Sequence, residues 1–385
     1  MEPDSPQILY LNTADGDRIQ TMTLAGIRRY AGARGWEAMA VPWQESRPED
    51  VTPLLKAHRP VAGCVVECSD GNTHLPPRLF RRVPVVYLHA APSLYGGRIV
   101  RVSADNEAVA RAAFRELSAG RPAAYAVFGE VRSQEWMCVR IDAFKSLCGE
   151  VGVPCHEFPV CRETEQERAM RLAEWVKGLP HGTAVFAVND RAAVKVAMAA
   201  RAAHRGIPRE LTLLGVDNDL AVCETAALAI SSLQLDFERT GYVAARMLGE
   251  MAEPPPPLAL VSPLLAVRRR STGGAGRREK FVLEAVEMIR REACDGLTAM
   301  ALARRFRCSR RLFNLRFREA TGHSVLDEIQ HVRLEKVFAL LSGTDTAIGA
   351  IADFCGFGSG VELRRVFRAR TGKSLREWRK ENARK

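Results

Sequence analysis

A repeat near the carboxyl end restricts the fold more than any other feature of this 385-residue chain. The segment Ser309-Arg310-Arg311-Leu312-Phe313-Asn314-Leu315-Arg316-Phe317-Arg318-Glu319-Ala320-Thr321-Gly322-His323-Ser324 returns 50 residues later as 359–374, with Ser, Phe, Arg, Thr, Gly and Ser identical at matching places. Each copy follows a short helical stretch, 297–306 and 348–354, and a tight turn, so the spacing predicts two helix–turn–helix units. Ser309 and Ser359 are placed as helix N-caps, Gly322 and Gly372 as C-terminal stops, and Gly356 as a left-handed turn residue.

The faces of the two repeated helices divide cleanly. Phe313 and Phe317, and Leu363 and Phe367, lie four apart and are expected to bury against the preceding helix. The opposite stripe carries Arg311, Asn314, Leu315 and Arg318 in the first copy, with Arg310 beside it. In the second it carries Val361, Arg364, Arg365 and Arg368. Arg reads guanine, Asn reads adenine and Val or Leu meets a thymine methyl, so both stripes suit a major groove. A solvated basic face is the bland reading of either stripe alone; two in register weaken it.

Charge supports the nucleic-acid reading. The chain holds 56 Lys and Arg against 45 Asp and Glu, a net of +11, yet residues 277–385 alone hold 24 basic and 14 acidic side chains. A basic module is therefore joined to a near-neutral remainder. No apolar run is long enough for a membrane span, and the start Met1-Glu2-Pro3-Asp4 is not a secretory signal, so a cytoplasmic protein is expected. The ten cysteines are scattered without a C-x-x-C pair, so neither a zinc site nor any other metal site is expected.

From residue 7 to about 265, short apolar runs alternate with amphipathic stretches. Expected strands are 7–12, 38–42, 61–68, 83–89, 99–102, 123–129, 184–189 and 211–216, with 258–267 as a final strand. Expected helices are 19–34, 106–118, 136–150, 165–177, 191–205 and 237–251. This alternation implies parallel sheets with right-handed crossovers, and the length favours two α/β lobes. Open parallel sheets bind ligands beyond the carboxyl ends of their strands. There the sequence places Asp15, Trp136, Arg140, Asn189, Asp190, Asp217 and Asn218. Carboxylates and amides for hydroxyls, a bidentate Arg and an indole for a sugar face suit a polyhydroxy ligand. Singly, each Asp or Asn is as well explained as a helix cap. The four prolines at 254–257 break the chain, and 268–276, with three Arg and three Gly, reads as a flexible linker that leaves the Arg triplet open to phosphate contact.

Two resemblances follow from these residues. Residues 182–219, with T-A-V-F-A-V-N-D-R-A-A and L-L-G-V-D-N, together with Val102-Ser103-Ala104-Asp105-Asn106 and 228–248, resemble LacI-type repressors and periplasmic sugar-binding proteins. Residues 284–378, on Gly356-Phe357 and the two Phe-Arg-x-x-Thr-Gly-x-Ser tails, resemble the AraC/XylS family of transcription regulators; Leu315 departs from that pattern, and Arg333-Leu334-Glu335-Lys336 matches it imperfectly. The order of the two halves is similar to xylose-operon regulators. The resemblance implies a ligand-sensing domain over 1–267, a linker over 268–276 and an AraC-type DNA-binding domain over 277–385. It also implies a xylose-like sugar held between two lobes, double-stranded DNA as partner, a homodimer, activation of transcription, and RNA polymerase as a further candidate partner. No cofactor is implied.

An enzyme is the competing class. The sequence contains no Walker loop, no strand-borne G-x-G-x-x-G, no G-x-S-x-G and no H-E-x-x-H, so no catalytic residue is assigned. A DNA-bending protein whose front half only dimerises remains the other alternative.

Overall fold

The structure is a computed structural model that describes residues 5–12, 18–42, 51–58, 60–68, 75–97, 99–130, 134–159, 164–224, 226–249, 257–274, 277–344 and 346–382. The alternating half folds into two six-stranded sheets. The first contains β1 (Gln7–Asn12), β2 (Glu37–Pro42), β3 (Val61–Glu67), β4 (Val85–Leu88), β5 (Val100–Ala104) and β11 (Leu258–Val261), in the order β11-β5-β4-β3-β1-β2. The second contains β6 (Ala124–Phe128), β7 (Cys155–Glu157), β8 (Thr183–Ala187), β9 (Leu211–Val216), β10 (Ser231–Gln234) and β12 (Leu265–Val267), in the order β12-β10-β9-β8-β6-β7. The second sheet is parallel except where β12 runs antiparallel to β10. Every residue of β6 and β8 is buried, as continuously apolar strands covered on both faces require.

The helices of the first lobe are α1 (Arg18–Ala33), α2 (Val51–Ala57) and α8 (Phe237–Gly249). Those of the second are α3 (Asn106–Ser118), α4 (Glu135–Glu150), α5 (Glu165–Gly178), α6 (Asp190–Ala202) and α7 (Leu220–Cys223). The rest is helical: α9 (Arg277–Glu292), α10 (Ala299–Arg305), α11 (Arg310–Thr321), α12 (Val325–Gly343), α13 (Ile348–Phe354), α14 (Gly360–Thr371) and α15 (Leu375–Asn382). The chain divides into two compact units. One comprises the first lobe with the helical region from Phe281 onward; the other comprises Ala104–Asp236 and Leu260–Lys280.

Two expectations need correction. The stretch 258–267 is two strands in different sheets, because Pro263 lacks the N–H that a continuous ladder needs. Nor is the start of 268–276 a solvated linker. Arg268 pairs with Glu116 at 2.5 Å, Arg269 donates to the Ile230 carbonyl at 3.0 Å, and the buried Ser271 hydroxyl donates to the Leu213 carbonyl at 2.7 Å. Composition suggested flexibility, but three specific polar side chains dock the segment on α3 and the second sheet.

Within the first unit, α1 and α8 cross at near backbone contact. A Cβ at Gly26 would lie 1.8 Å from the Glu238 carbonyl oxygen, and one at Gly241 would lie 1.9 Å from that of Thr23. Only glycine fits at either point. In the helical region, Phe281, Phe306 and Phe313 cluster with ring centroids 4.8–5.4 Å apart, and Phe338, Phe367 and Trp378 form the second cluster. Arg333 ties the two together by donating to the carbonyls of Ala293 at 2.8 Å and Leu297 at 2.9 Å while lying over the Phe357 ring.

Candidate functional site

In the second lobe, α4, α6 and the turn after β9 bring Arg140, Asp190 and Asp217 together. Arg140 is buried; its Nε donates to Asn106 Oδ1 at 2.9 Å and its Nη1 to the Val188 carbonyl at 2.6 Å. Its guanidinium carbon lies 4.7 Å from the centre of the Trp136 ring, which the i, i+4 spacing on α4 places on the same face. Burial lowers the Arg140 pKa, while Asp217 and Asp190 oppose that shift.

The carboxylates are strongly perturbed. Burial pushes Asp190 up to about 8, with Asp217 raising it further. Asp190 Oδ2 accepts the Asp219 N–H at 2.8 Å. Gly215 is required beneath it, since a Cβ there would lie 2.4 Å from Asp190 Oδ1. Burial likewise raises Asp217 to about 6, although Arg140 pulls it down. Asp217 and Asn218 both hold positive φ, 102° and 52°, which is costly for residues with a Cβ. The neighbours fix this turn: Asn218 N–H donates to Ser232 Oγ at 2.9 Å, its Nδ2 to Gln234 Oε1 at 2.8 Å, and its Oδ1 accepts Arg269 Nη2 at 2.7 Å.

Not every expected residue keeps the same job. Asn189 is the N-cap of α6, its Oδ1 accepting the Ala192 N–H at 2.8 Å. Asn218 is buried and engaged on three sides, so it shapes the turn. Asp15 lies outside the described residues. Sequence reasoning missed Asn106, Ser232, Gln234 and Arg269 as parts of this cluster. Asn106 had a signal, since it closes the strand-to-helix step quoted above; Arg269 was hidden in a triplet that looked like linker. Among the described residues, no group of His, Cys, Asp and Glu is placed to hold a metal ion.

The helix–turn–helix units form a second site. Ser309 and Ser359 cap α11 and α14 by accepting the N–H of Leu312 at 3.3 Å and of Glu362 at 3.2 Å. Gly322 and Gly372 are left-handed at the helix ends. Phe313, Phe317, Leu363 and Phe367 are buried. Arg310, Arg311, Arg318, Val361, Arg364, Arg365 and Arg368 are all exposed, and those arginines make no hydrogen bond or ion pair among the described residues. Val361 is 68% exposed and Leu315 is 53% exposed on these faces. Asn314 is different. Its Oδ1 accepts the Val325 N–H at 3.1 Å, so it helps satisfy the first turn of α12, which orients its amide toward that helix.

The copies also differ in their turns. The residue with positive φ is Arg307 in the first and Gly356 in the second. Gly356 is crowded: a Cβ there would lie 2.6 Å from the Cys294 carbonyl oxygen. From that residue to the N-cap serine the second turn is one residue longer, the extra one being Gly358.

A two-lobed α/β sensor-type domain followed by a pair of helix–turn–helix units is a regulator architecture. A periplasmic binding protein-like domain family matches residues 111–272, and a helix-turn-helix domain family matches residues 302–381. The chain thus combines a periplasmic-binding-protein-like domain with an AraC-type helix–turn–helix DNA-binding domain. It is similar to the xylose operon regulatory protein of Escherichia coli K12, with 29% identity over 290 residues covering 73% of this chain and 74% of that protein. The protein of the same name from Haemophilus influenzae is 25% identical over 288 residues, 72% of this chain and 74% of its own length. Among solved structures, a xylose-binding transcription activator, XylR, matches all of both chains with a TM-score of 0.57 and 24% identity. A CelR regulator in complex with cellobiose matches 70% of this chain and 86% of its own, with a TM-score of 0.55 and 17% identity.

Proposed function

We propose that this chain is a cytoplasmic transcription regulator whose second lobe holds a small neutral sugar, xylose or a related monosaccharide, and whose α11 and α14 read DNA. The observation that carries the sugar reading is the buried Arg140 set against Asp217 and Asp190 beside an indole face. Arg140 donates, Asp217 accepts, and Asp190 does either according to its proton. Sugar hydroxyls pair with all three. Trp136, which carries the Arg140 guanidinium on one face, offers the other to the C–H side of the ring.

The DNA reading rests on two stripes of exposed arginines on helices whose other faces are buried. With Asn314 committed to α12, base reading in the first copy falls to Arg310, Arg311 and Arg318, and in the second to Val361, Arg364, Arg365 and Arg368. Two copies of the chain would present four such helices to an operator, and RNA polymerase beside it would receive the output. The xylose-operon relatives support this role.

A thermal-shift panel of monosaccharides on the full chain tests the sensor. A bound sugar raises the apparent stability, and Asp217→Ala is expected to remove that shift while DNA binding persists. A full shift retained by Asp217→Ala would show the site to be misplaced. For DNA, Arg364→Ala and Arg311→Ala are each expected to relax base preference at a defined position by about 1–3 kcal/mol. An equal loss on all sequences would make them phosphate contacts.

A further inference from the structure

Nothing in the proposed function uses a buried group of charges in the first unit, where α12 of the helical region meets α1 and α8. Glu335, at the middle of α12, is 6% exposed. Its Oε2 accepts Arg29 Nη1 at 2.6 Å, and its Oε1 lies 3.2 Å from Arg239 Nη1 and 3.4 Å from His331 Nε2. Arg239 and His331 also contact each other directly. Arg29 reaches on to Glu238 at 3.2 Å, and Arg290 of α9 approaches the same carboxylate at 3.2 Å. The Tyr242 hydroxyl donates to the Glu335 carbonyl at 2.8 Å, and Arg29 stacks over that tyrosine ring. At the end of α12, Arg34 Nη1 donates to Ser342 Oγ at 2.9 Å. Residues some 300 positions apart in sequence are thus bonded at two places along α12.

We infer that Glu335 couples the effector response to the DNA-reading helices. Three facts point this way. The contact is made of charges and hydrogen bonds centred on one buried carboxylate, so a small misalignment removes most of it at once. Glu238 and Arg239, two of its members, are the second and third residues of α8, which follows β10 of the second sheet after only two residues. A change in backbone direction at 235–236 therefore reaches the network without any slack chain. The glycine crossing of α1 and α8 leaves those helices no freedom to absorb it. On the other side, α12 joins the two helix–turn–helix units, so what moves Glu335 moves both. Glu335 is a positioning residue: it touches neither the sugar cluster nor the reading faces. This inference rests on the sugar-sensor reading.

The test uses the full chain, with xylose as effector and a DNA fragment selected by the wild-type protein. Glu335→Gln removes the charge at near-constant shape; Arg239→Ala is the milder second variant should the first fold poorly. Xylose affinity by calorimetry, DNA affinity with and without xylose, and amide exchange in α1, α8 and α12 are measured. Expected is an unchanged xylose affinity, faster exchange at the contact, and a ratio of DNA affinities with and without xylose that falls at least threefold toward unity. An unchanged ratio in both variants, when exchange shows the contact loosened, overturns the coupling and leaves a merely structural tie. Unchanged exchange in both variants also overturns it. A wild-type chain that does not bind xylose, or whose DNA affinity ignores it, fails at the sensor reading instead and takes the inference with it, and the calorimetry identifies that case.

Discussion

Glu335 and Asp190 are both carboxylates buried from water, yet their surroundings push them in opposite directions. Burial raises each, as it must for any acid. Around Glu335 the cations Arg29 and Arg239 and the His331 ring outweigh burial and hold the carboxyl well below its ordinary range. Around Asp190 the Asp217 carboxylate adds to burial, and the acid rises to about 8. The first carboxylate completes a set of partners within the chain. The second has another acid beside it and an Oδ1 without a hydrogen-bond partner among the described residues. A fully paired buried charge marks a joint between parts of the chain; an underpaired one marks a place where a partner from outside belongs.

Mutation tests this contrast most directly at Glu335. Glu335→Ala, which leaves Arg29 and Arg239 facing an empty space, is expected to cost about 3–5 kcal/mol at pH 7 in denaturant unfolding. The native pKa is depressed, so the contribution is present above the ordinary glutamate range and lost as pH falls through the native value. The deficit of the variant must therefore shrink on acidification. A deficit independent of pH would show that shape rather than charge matters there.

Asp190 has the opposite sign. Its native pKa is raised, so folding favours the protonated acid, and stability declines as pH climbs from about 4 toward 8. Asp190→Asn is expected to stabilise the sugar-free chain by about 2–4 kcal/mol at pH 8 and by nothing below about pH 4. Equal melting temperatures for variant and wild type at both pH values would falsify the raised acid. Arg140→Lys is a smaller perturbation. A lysine keeps the charge but does not serve Asn106, Val188 and the Trp136 face at once. Sugar affinity is expected to fall roughly tenfold, about 1.4 kcal/mol; full retention would mean that charge alone fills the role. Smallest is a neutral control, Asn314→Ala, expected to cost about 1 kcal/mol through the unsatisfied Val325 N–H while leaving base preference unchanged. Altered preference at one base pair would return Asn314 to the reading face.

Most elements were legible in the sequence because their signals are local. The helix 106–118 and the strands 7–12 and 211–216 coincide with α3, β1 and β9, and the two cap serines and three left-handed glycines sit where the repeat placed them. The short β7 and α2 carried too few residues to show a period. The site was half legible. Strand ends pointed to Arg140, Asp190 and Asp217, and these three do cluster in the structure, since the fold itself brings such ends together. Partner choice was not legible: Asn189 and Asn314 look like ligand and base readers by type, yet each is engaged by a nearby backbone N–H. Arg269 and Glu335 find partners far away in sequence, and no periodicity encodes that. The pattern around 333–336 was visible only as an imperfect motif match, although Arg333 links the two helical clusters and Glu335 ties α12 to α1 and α8.

The crossing of α1 and α8 has a consequence for natural variation. A methyl group at Gly26 or Gly241 would force two backbones apart, and both positions lie within three residues of Arg29, Glu238 or Arg239. Such a change touches neither effector nor operator. If the coupling runs through this crossing, variants at these two glycines are expected to lose the response as well as stability, so unresponsive strains would map here as well as to the binding sites.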